Sequence, residues 1–237
     1  MNSVIIPAAG RGKRIGGPTP KQYLEIAGES ILSRTLRQVQ SCPDVDAIIV
    51  ATGEGELRTV LDIAERAGIT KLVQIVIGGA ERQDSVVRGL EAIRPEGAGV
   101  VTVHDAVRPF AAASLFSAVI RRARETGAAI AAQFVADTVK QIDGDRIVGT
   151  IDRTKVVLAQ TPQAFRYGIL RSALDAATRE GWRGTDEASV VERAGYPVSV
   201  VDGSPFNIKV TRPEDLSFAE AIARRLDDPR AGRSQSR

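Results

Sequence analysis

Short apolar runs alternate with stretches of helical periodicity along this chain, and that alternation leaves few folds open to it. Runs at 3–6, 47–51, 73–77, 100–104 and 130–135 have the length of strands buried on both faces. Between them, Leu32, Leu36 and Val39 recur at helical spacing behind the N-cap candidate Ser30, as do Leu57, Val60, Leu61 and Ala64. Asp84 stands where it can cap a third helix carrying Val86, Val87, Leu90 and Ile93, and Leu115, Val119 and Ile120 mark a fourth. The pattern predicts an α/β fold, a mostly parallel sheet flanked by helices.

The alternation breaks once. Runs 139–142 and 147–151 flank Asp143-Gly144-Asp145, a turn of hairpin type, which makes the segment an excursion from the sheet. A strand at 156–160 leads back, followed by a helix around 169–177 and a short helix at 186–194 behind Thr185 as cap candidate. Strands near 198–201 and 208–210 come next, and Pro213 can open a last helix with Leu216, Ala219, Ile222 and Ala223 facing inward. With 43% hydrophobic residues in 237 and no Pro/Ser-rich linker, one domain over 1–226 is expected, with an arm at about 137–155. The polar, aperiodic stretch 227–237 reads as a disordered tail.

A net charge of +3, from 32 basic and 29 acidic residues, is too balanced for a protein that coats nucleic acid. The single cysteine, Cys42, excludes an intrachain disulfide, and with one histidine no Cys/His metal cluster can form. No stretch approaches the roughly 20 apolar residues of a membrane span. The expectation is a cytoplasmic protein without nucleic-acid or membrane partners.

Ligands of open α/β sheets sit beyond the carboxyl ends of the strands, so the residues just after each strand carry the functional reading. After the first strand, small residues at Ala8, Ala9, Gly10 and Gly12 let backbone N–H groups approach a ligand, and Arg11, Lys13, Arg14 and Lys21 add cations. A polyphosphate fits that combination. The dinucleotide fingerprint fails because Ile15 occupies the place of its third glycine, and the P-loop spacing is absent. After the third strand, Gly78 to Ser85 forms either a base or ribose contact or a plain turn capped by Asp84. Asp105 ends a buried strand, where a carboxylate needs a partner: Mg²⁺ shared with a triphosphate, or a loop arginine. His104 reads as a packing residue. Lys209, inside an otherwise apolar run, wants an anion.

The stretch from Ala8 to Gln22 resembles the A-A-G-x-G-x-R-[ML]-G-x(3)-P-K-Q signature of nucleotidyltransferases that activate sugar and polyol phosphates, with Ile15 at the hydrophobic position. Further blocks follow in order: Gly78-Gly79 with Asp84-Ser85-Val86, Val103-His104-Asp105-Ala106-Val107-Arg108-Pro109, Asp137-Thr138-Val139-Lys140, Thr161-Pro162-Gln163, Thr185-Asp186-Glu187-Ala188-Ser189 and Asn207-Ile208-Lys209-Val210-Thr211. With these, the chain resembles the 2-C-methyl-D-erythritol 4-phosphate cytidylyltransferase family from residue 4 to about 226. The resemblance implies a Rossmann-like sheet of the nucleotide-diphospho-sugar transferase type with a protruding hairpin arm. It implies a Mg²⁺-dependent cytoplasmic homodimer of the non-mevalonate isoprenoid pathway that joins CTP to the polyol phosphate and releases pyrophosphate.

By the same resemblance, Arg14 and Lys21 would stabilise charge on the triphosphate, and Arg153 and Lys209 would position the attacking phosphate. Ala8, Ala9, Gly10, Gly79, Ser85 and Ala106 would contact the cytidine, with Gly12 in the same nucleotide-binding set. Asp105 would lie beside the phosphates and the metal. Arg108, Thr138, Thr161 and Thr185 would line the polyol phosphate site together with Arg153 and Lys209. The family's arm crosses to the partner subunit, so Thr138 and Arg153 would serve the neighbour's site. Two rivals stand beside this reading. A ribitol-5-phosphate cytidylyltransferase would share the loop and differ in the acceptor pocket, and an inactive scaffold should have lost the cations that this chain keeps.

Overall fold

A computed structural model of the chain describes residues 1–10 and 19–228. β1 (Ser3–Pro7) comes first, then a small ladder of β2 (Glu25–Ile26) and β3 (Glu29–Ser30) leading into α1 (Ile31–Ser41). The alternation continues through β4 (Ala47–Thr52), α2 (Leu57–Arg66), β5 (Leu72–Ile77), α3 (Arg82–Glu91), β6 (Val100–Val103), α4 (Ala113–Thr126) and β7 (Ala128–Phe134). The arm is β8 (Val139–Asp143) and β9 (Arg146–Ile151). Beyond it lie β10 (Val157–Arg166), α5 (Tyr167–Arg179), α6 (Glu187–Arg193), β11 (Ser199–Asp202) and α7 (Pro213–Asp227).

Seven strands form one sheet in the order β11-β7-β10-β6-β1-β4-β5, in which β10 alone runs antiparallel to its neighbours. The period-2 alternation of strand side chains explains the two cores. Val4 and Ile6 point to the face covered by α1, α2 and α4, where Leu36, Val60 and Phe116 are buried, while Ile5 points to the face covered by α3, α5 and α6. α3 lies so close to β1 that a Cβ on Gly89 would come within 2.5 Å of Ile5 Cγ2. A third cluster joins Ile26, Ile31, Val107 and Phe110 to Val210 and to Ala219 and Ala223 of α7. Among the described residues, β8 and β9 pair only with each other.

Ser30 caps α1, accepting from Ser33 N at 3.2 Å, and Pro213 sits in the first turn of α7, both as expected. Four expectations need correction. α3 is capped by Glu81, and Asp84 is its third residue, accepting from Glu81 N at 3.1 Å in a capping box. α6 is capped by Asp186, whose Oδ1 takes Ser189 N at 2.9 Å, so Thr185 lies one residue outside. Among the described residues, 208–210 join no ladder; Val210 N bonds to Val107 O at 2.9 Å, a loop contact that leaves the same apolar run in the sequence as strand pairing would. The strand expected at 156–160 runs on through Thr161-Pro162-Gln163 to Arg166, with a register shift between Ala159 and Gln163 at the proline, which has no N–H to give a ladder. Of the expected tail, Asp227 belongs to α7 and 229–237 lie outside the described residues.

Candidate active site

The carboxyl end of β1 and the start of the glycine-rich loop are fixed by buried contacts. Ala8 N continues the ladder to Ala51 O at 2.7 Å, and Gln22, itself buried, donates from Nε2 to Ala8 O at 2.7 Å, tying the end of the loop back to its start. The next residue, Tyr23, donates to Glu56 Oε2 at 2.9 Å beside Thr52, and burial pushes its hydroxyl up to about 12. Lys21 is therefore carried on an anchored turn. Beside it, the turn after β5 passes too close to its neighbours for any side chain. A Cβ on Gly78 would meet Ala9 Cβ and Ser85 Oγ at 2.7 Å, and one on Gly79 would meet Asp84 Cβ at 2.2 Å.

Asp105 follows β6 and is the electrostatic centre of the site. Lys209 Nζ lies 2.9 Å from its Oδ2, Arg82 Nε 3.0 Å from its Oδ1 and Arg108 Nε 3.5 Å from its Oδ2. Burial alone would raise this carboxyl, but the three cations outweigh it and hold Asp105 well below the usual carboxylate range. Lys209 reaches it because the segment before α7 is pinned. Asn207 Nδ2 donates to Thr161 O at 2.8 Å and to Gln160 Oε1 at 3.0 Å, and Arg108 Nη1 donates to Asn207 O at 2.7 Å.

His104 lies behind this centre, fully buried, with its ring edge against Phe116. Thr161 Oγ1 accepts from Asp105 N at 3.0 Å, which leaves its own proton for His104 Nδ1 at 3.0 Å. Nε2 then carries the ring proton and donates to Arg108 O at 3.1 Å. Burial holds the ring neutral down to about 4. His104 is thus a fixed neutral strut for the loop after β6, as the sequence reading held.

A cleft of about 280 Å³ opens over these groups, lined by Ala8, Ala9, Gly10, Lys21, Gly79, Ser85, Asp105, Ala106 and Lys209, with Arg82 and Gln22 among the others. Residues expected at one nucleotide site, from loops far apart in sequence, share one cavity. Arg108 and Thr161 stand directly behind it through Asp105. Thr185 is exposed on the loop before α6, and Thr138 and Arg153 are exposed on the arm, where Arg153 Nη1 donates to Ala136 O; none of the three lines the cleft. Gly12 and Arg14 lie outside the described residues.

The family model of IspD, 2-C-methyl-D-erythritol 4-phosphate cytidylyltransferase, matches residues 2–225. The chain belongs to that family. It is 43% identical over 230 residues to the 2-C-methyl-D-erythritol 4-phosphate cytidylyltransferase of Geotalea uraniireducens, covering 96% of this chain and 99% of the relative. The Syntrophus aciditrophicus enzyme of the same name is 44% identical over 223 residues, covering 93% of this chain and 95% of the relative. Among solved structures, 4-diphosphocytidyl-2C-methyl-D-erythritol synthase from Anaerococcus prevotii superposes with a TM-score of 0.84 at 34% identity, covering 94% of this chain and 96% of that one. The α/β fold and the nucleotidyltransferase activity expected from the sequence are those of the family, in the non-mevalonate isoprenoid pathway. No helix among the described residues is long and apolar enough to cross a membrane.

Two site residues received no role from the sequence. Arg82 lines the cleft, and its Nη1 holds both carboxylate oxygens of the buried Glu187 at 2.7 and 2.9 Å. One signal was present: Arg82 is the first residue of α3, where the positive end of the helix dipole disfavours a cation unless something else holds it.

Proposed function

We infer that this enzyme joins CTP and 2-C-methyl-D-erythritol 4-phosphate at the cleft above β1, α3 and β6, releasing pyrophosphate. Ala8, Ala9 and Gly10 on one wall and Gly79, Ser85 and Ala106 on the other take the nucleoside, with Gly12 in the loop's continuation. Lys21 opposes charge on the triphosphate, as does Arg14. Lys209 holds the attacking phosphate, with Arg108, Thr161 and Thr185 on the acceptor side.

An oxygen of the polyol phosphate attacks the α-phosphorus of CTP, a new P–O bond forms, and the bond from that phosphorus to the bridging oxygen breaks with pyrophosphate as leaving group. A phosphate monoester, with second pKa near 6, is mostly dianionic at neutral pH, so the attack needs no general base. The neutral, buried His104 is not asked to supply one. The barrier is the approach of one anion to another, and cations preset around the phosphorus lower it.

Magnesium fits as a companion of the triphosphate. Among the described residues no group of three or more His, Cys, Asp or Glu side chains stands together, whereas one carboxylate plus phosphate oxygens is an ordinary Mg²⁺ environment. Asp105 would hold it, and the bound ion would supply positive charge to the phosphate oxygens.

The arm supports a homodimer. Its Ile142, Ile147 and Val148 are 64%, 65% and 58% exposed, more apolar surface than an isolated two-stranded ladder carries without a partner. A second copy covering it would bring Thr138 and Arg153 to the neighbour's cleft.

The observation that carries the assignment is the contact of Lys209 with Asp105 at 2.9 Å in the cavity that also holds Lys21 and the backbone of Ala8 to Gly10. Lys21→Met should lower kcat for pyrophosphate release by about a hundredfold or more, with the circular dichroism spectrum unchanged. Turnover near wild type in a folded variant would remove Lys21 from the reaction.

A further inference from the structure

Arg82 is held in the cleft from behind. Its Nε is 3.0 Å from Asp105 Oδ1, and its Nη1 straddles the Glu187 carboxylate. The Glu187 side chain is 1% exposed and lies in the first turn of α6, outside the cleft lining. Burying a carboxylate is costly, and a well-packed apolar pair would often serve stability as well or better. What the ion pair gives is orientation, since a guanidinium gripped at Nε and Nη1 cannot swing. The Arg82 side chain is nonetheless 30% exposed, and among the described residues its Nη2 carries no hydrogen bond. A guanidinium fixed on two sides, with its remaining donors on a cavity wall beside Lys21 and Lys209, is a preset phosphate contact.

The same element pair is joined twice more. Gln83 Oε1 accepts from Gly184 N at 2.9 Å while its Nε2 donates to Trp182 O at 3.3 Å, and Arg183 Nη1 meets Asp84 Oδ1 at 2.8 Å. The first turn of α3 and the loop 182–187 therefore behave as one piece. Were Lys209 to turn from Asp105 to a substrate phosphate, Arg82 and Arg108 would still balance that carboxylate.

We propose that Arg82 is a further substrate-positioning cation of the nucleotide site, contacting the CTP phosphates, and that Glu187 is the positioning residue that holds it there. The proposal rests on the reading of the cleft as the CTP site. Because Glu187 acts only through Arg82, its effect on CTP must vanish when Arg82 is gone.

The test is calorimetric titration of CTP, with Mg²⁺ and no acceptor, into wild type, Arg82→Lys, Glu187→Gln and the double variant Arg82→Met/Glu187→Gln. The double variant buries neither charge, and so serves as the folding control where Arg82→Met alone leaves Glu187 unpaired. CTP affinity should fall about tenfold or more in the double variant, the scale of one lost charge-assisted contact. Glu187→Gln should lose part of that, and Arg82→Lys, keeping the charge without the fork, should retain more than the double variant. In Arg82→Met protein that folds, adding Glu187→Gln should cost no further affinity. In turnover, the variants should raise KM for CTP more than KM for the polyol phosphate. A folded double variant that binds CTP like wild type would overturn the proposal while leaving the cleft reading intact, and equal, additive losses from both residues would reduce Glu187 to a structural role. A wild-type protein that bound no CTP would overturn the cleft reading and the proposal with it.

Discussion

His104 shows how a residue with familiar catalytic chemistry can be purely structural. Its folded pKa is lowered from 6.5 to about 4 by burial, so between those values the unfolded chain takes up a proton that the folded chain refuses. Stability is therefore complete above about pH 6.5 and falls as pH drops toward 4, by roughly 2 kcal/mol between pH 7 and pH 5. Asp105 acts in a different window, since its lowered pKa withdraws stability only below the ordinary carboxylate range. Urea unfolding at pH 7 and pH 5 checks this: His104→Gln should be less stable at pH 7 but lose that pH dependence, and an unchanged slope would mean that another group titrates. The sequence marked Asp105 as needing a counter-charge and left open which kind; three side chains supply it. It gave no role to Glu187, because the Arg82–Glu187 pair spans 105 residues and leaves no local spacing to read.

At the scale of elements, the turn between β5 and α3 is set by contact distances. Gly79→Ala would press a methyl against Asp84 Cβ at 2.2 Å and force the first turn of α3 away from the cleft. KM for CTP should rise about tenfold with a small change in melting temperature, because the displaced turn carries Ser85 and Arg82 but little of the core. An unaltered KM would show that the turn has room to relax without moving the site. The strands and helices with strong patterning, β1, β4 to β7 and α1 to α4, were legible because each buries a face that its own sequence defines, whereas the two-residue strands β2 and β3 are too short to leave a pattern. β10 was not, since its direction and its passage through Pro162 are settled by pairing with β6 and β7, residues distant in the chain. The run 208–210 failed for a related reason: its apolar residues are buried by α7 and the loop after β6, with no strand alongside.

For the whole molecule, the proposed homodimer makes the arm decide whether a site is complete within one chain. Lys21 lies in the cleft and Arg153 on the arm, so under the proposed arm exchange a subunit lacking one would still lend the other. Co-expressed Lys21→Met and Arg153→Ala subunits should recover activity absent from either variant alone, up to about a quarter of wild type if subunits pair at random. No recovery would mean that each chain uses its own arm. The turn Asp143-Gly144-Asp145 made the arm legible, whereas its proposed destination, a second copy of the chain, leaves no pattern in the sequence of one copy. The most direct measurement of the central claim is pyrophosphate release with CTP and each candidate acceptor in turn, with the product followed by phosphorus NMR. 2-C-methyl-D-erythritol 4-phosphate should support rapid release and the appearance of paired diphosphate resonances, both lost in Lys209→Met; release that is equal with ribitol 5-phosphate, or independent of any acceptor, would contradict it.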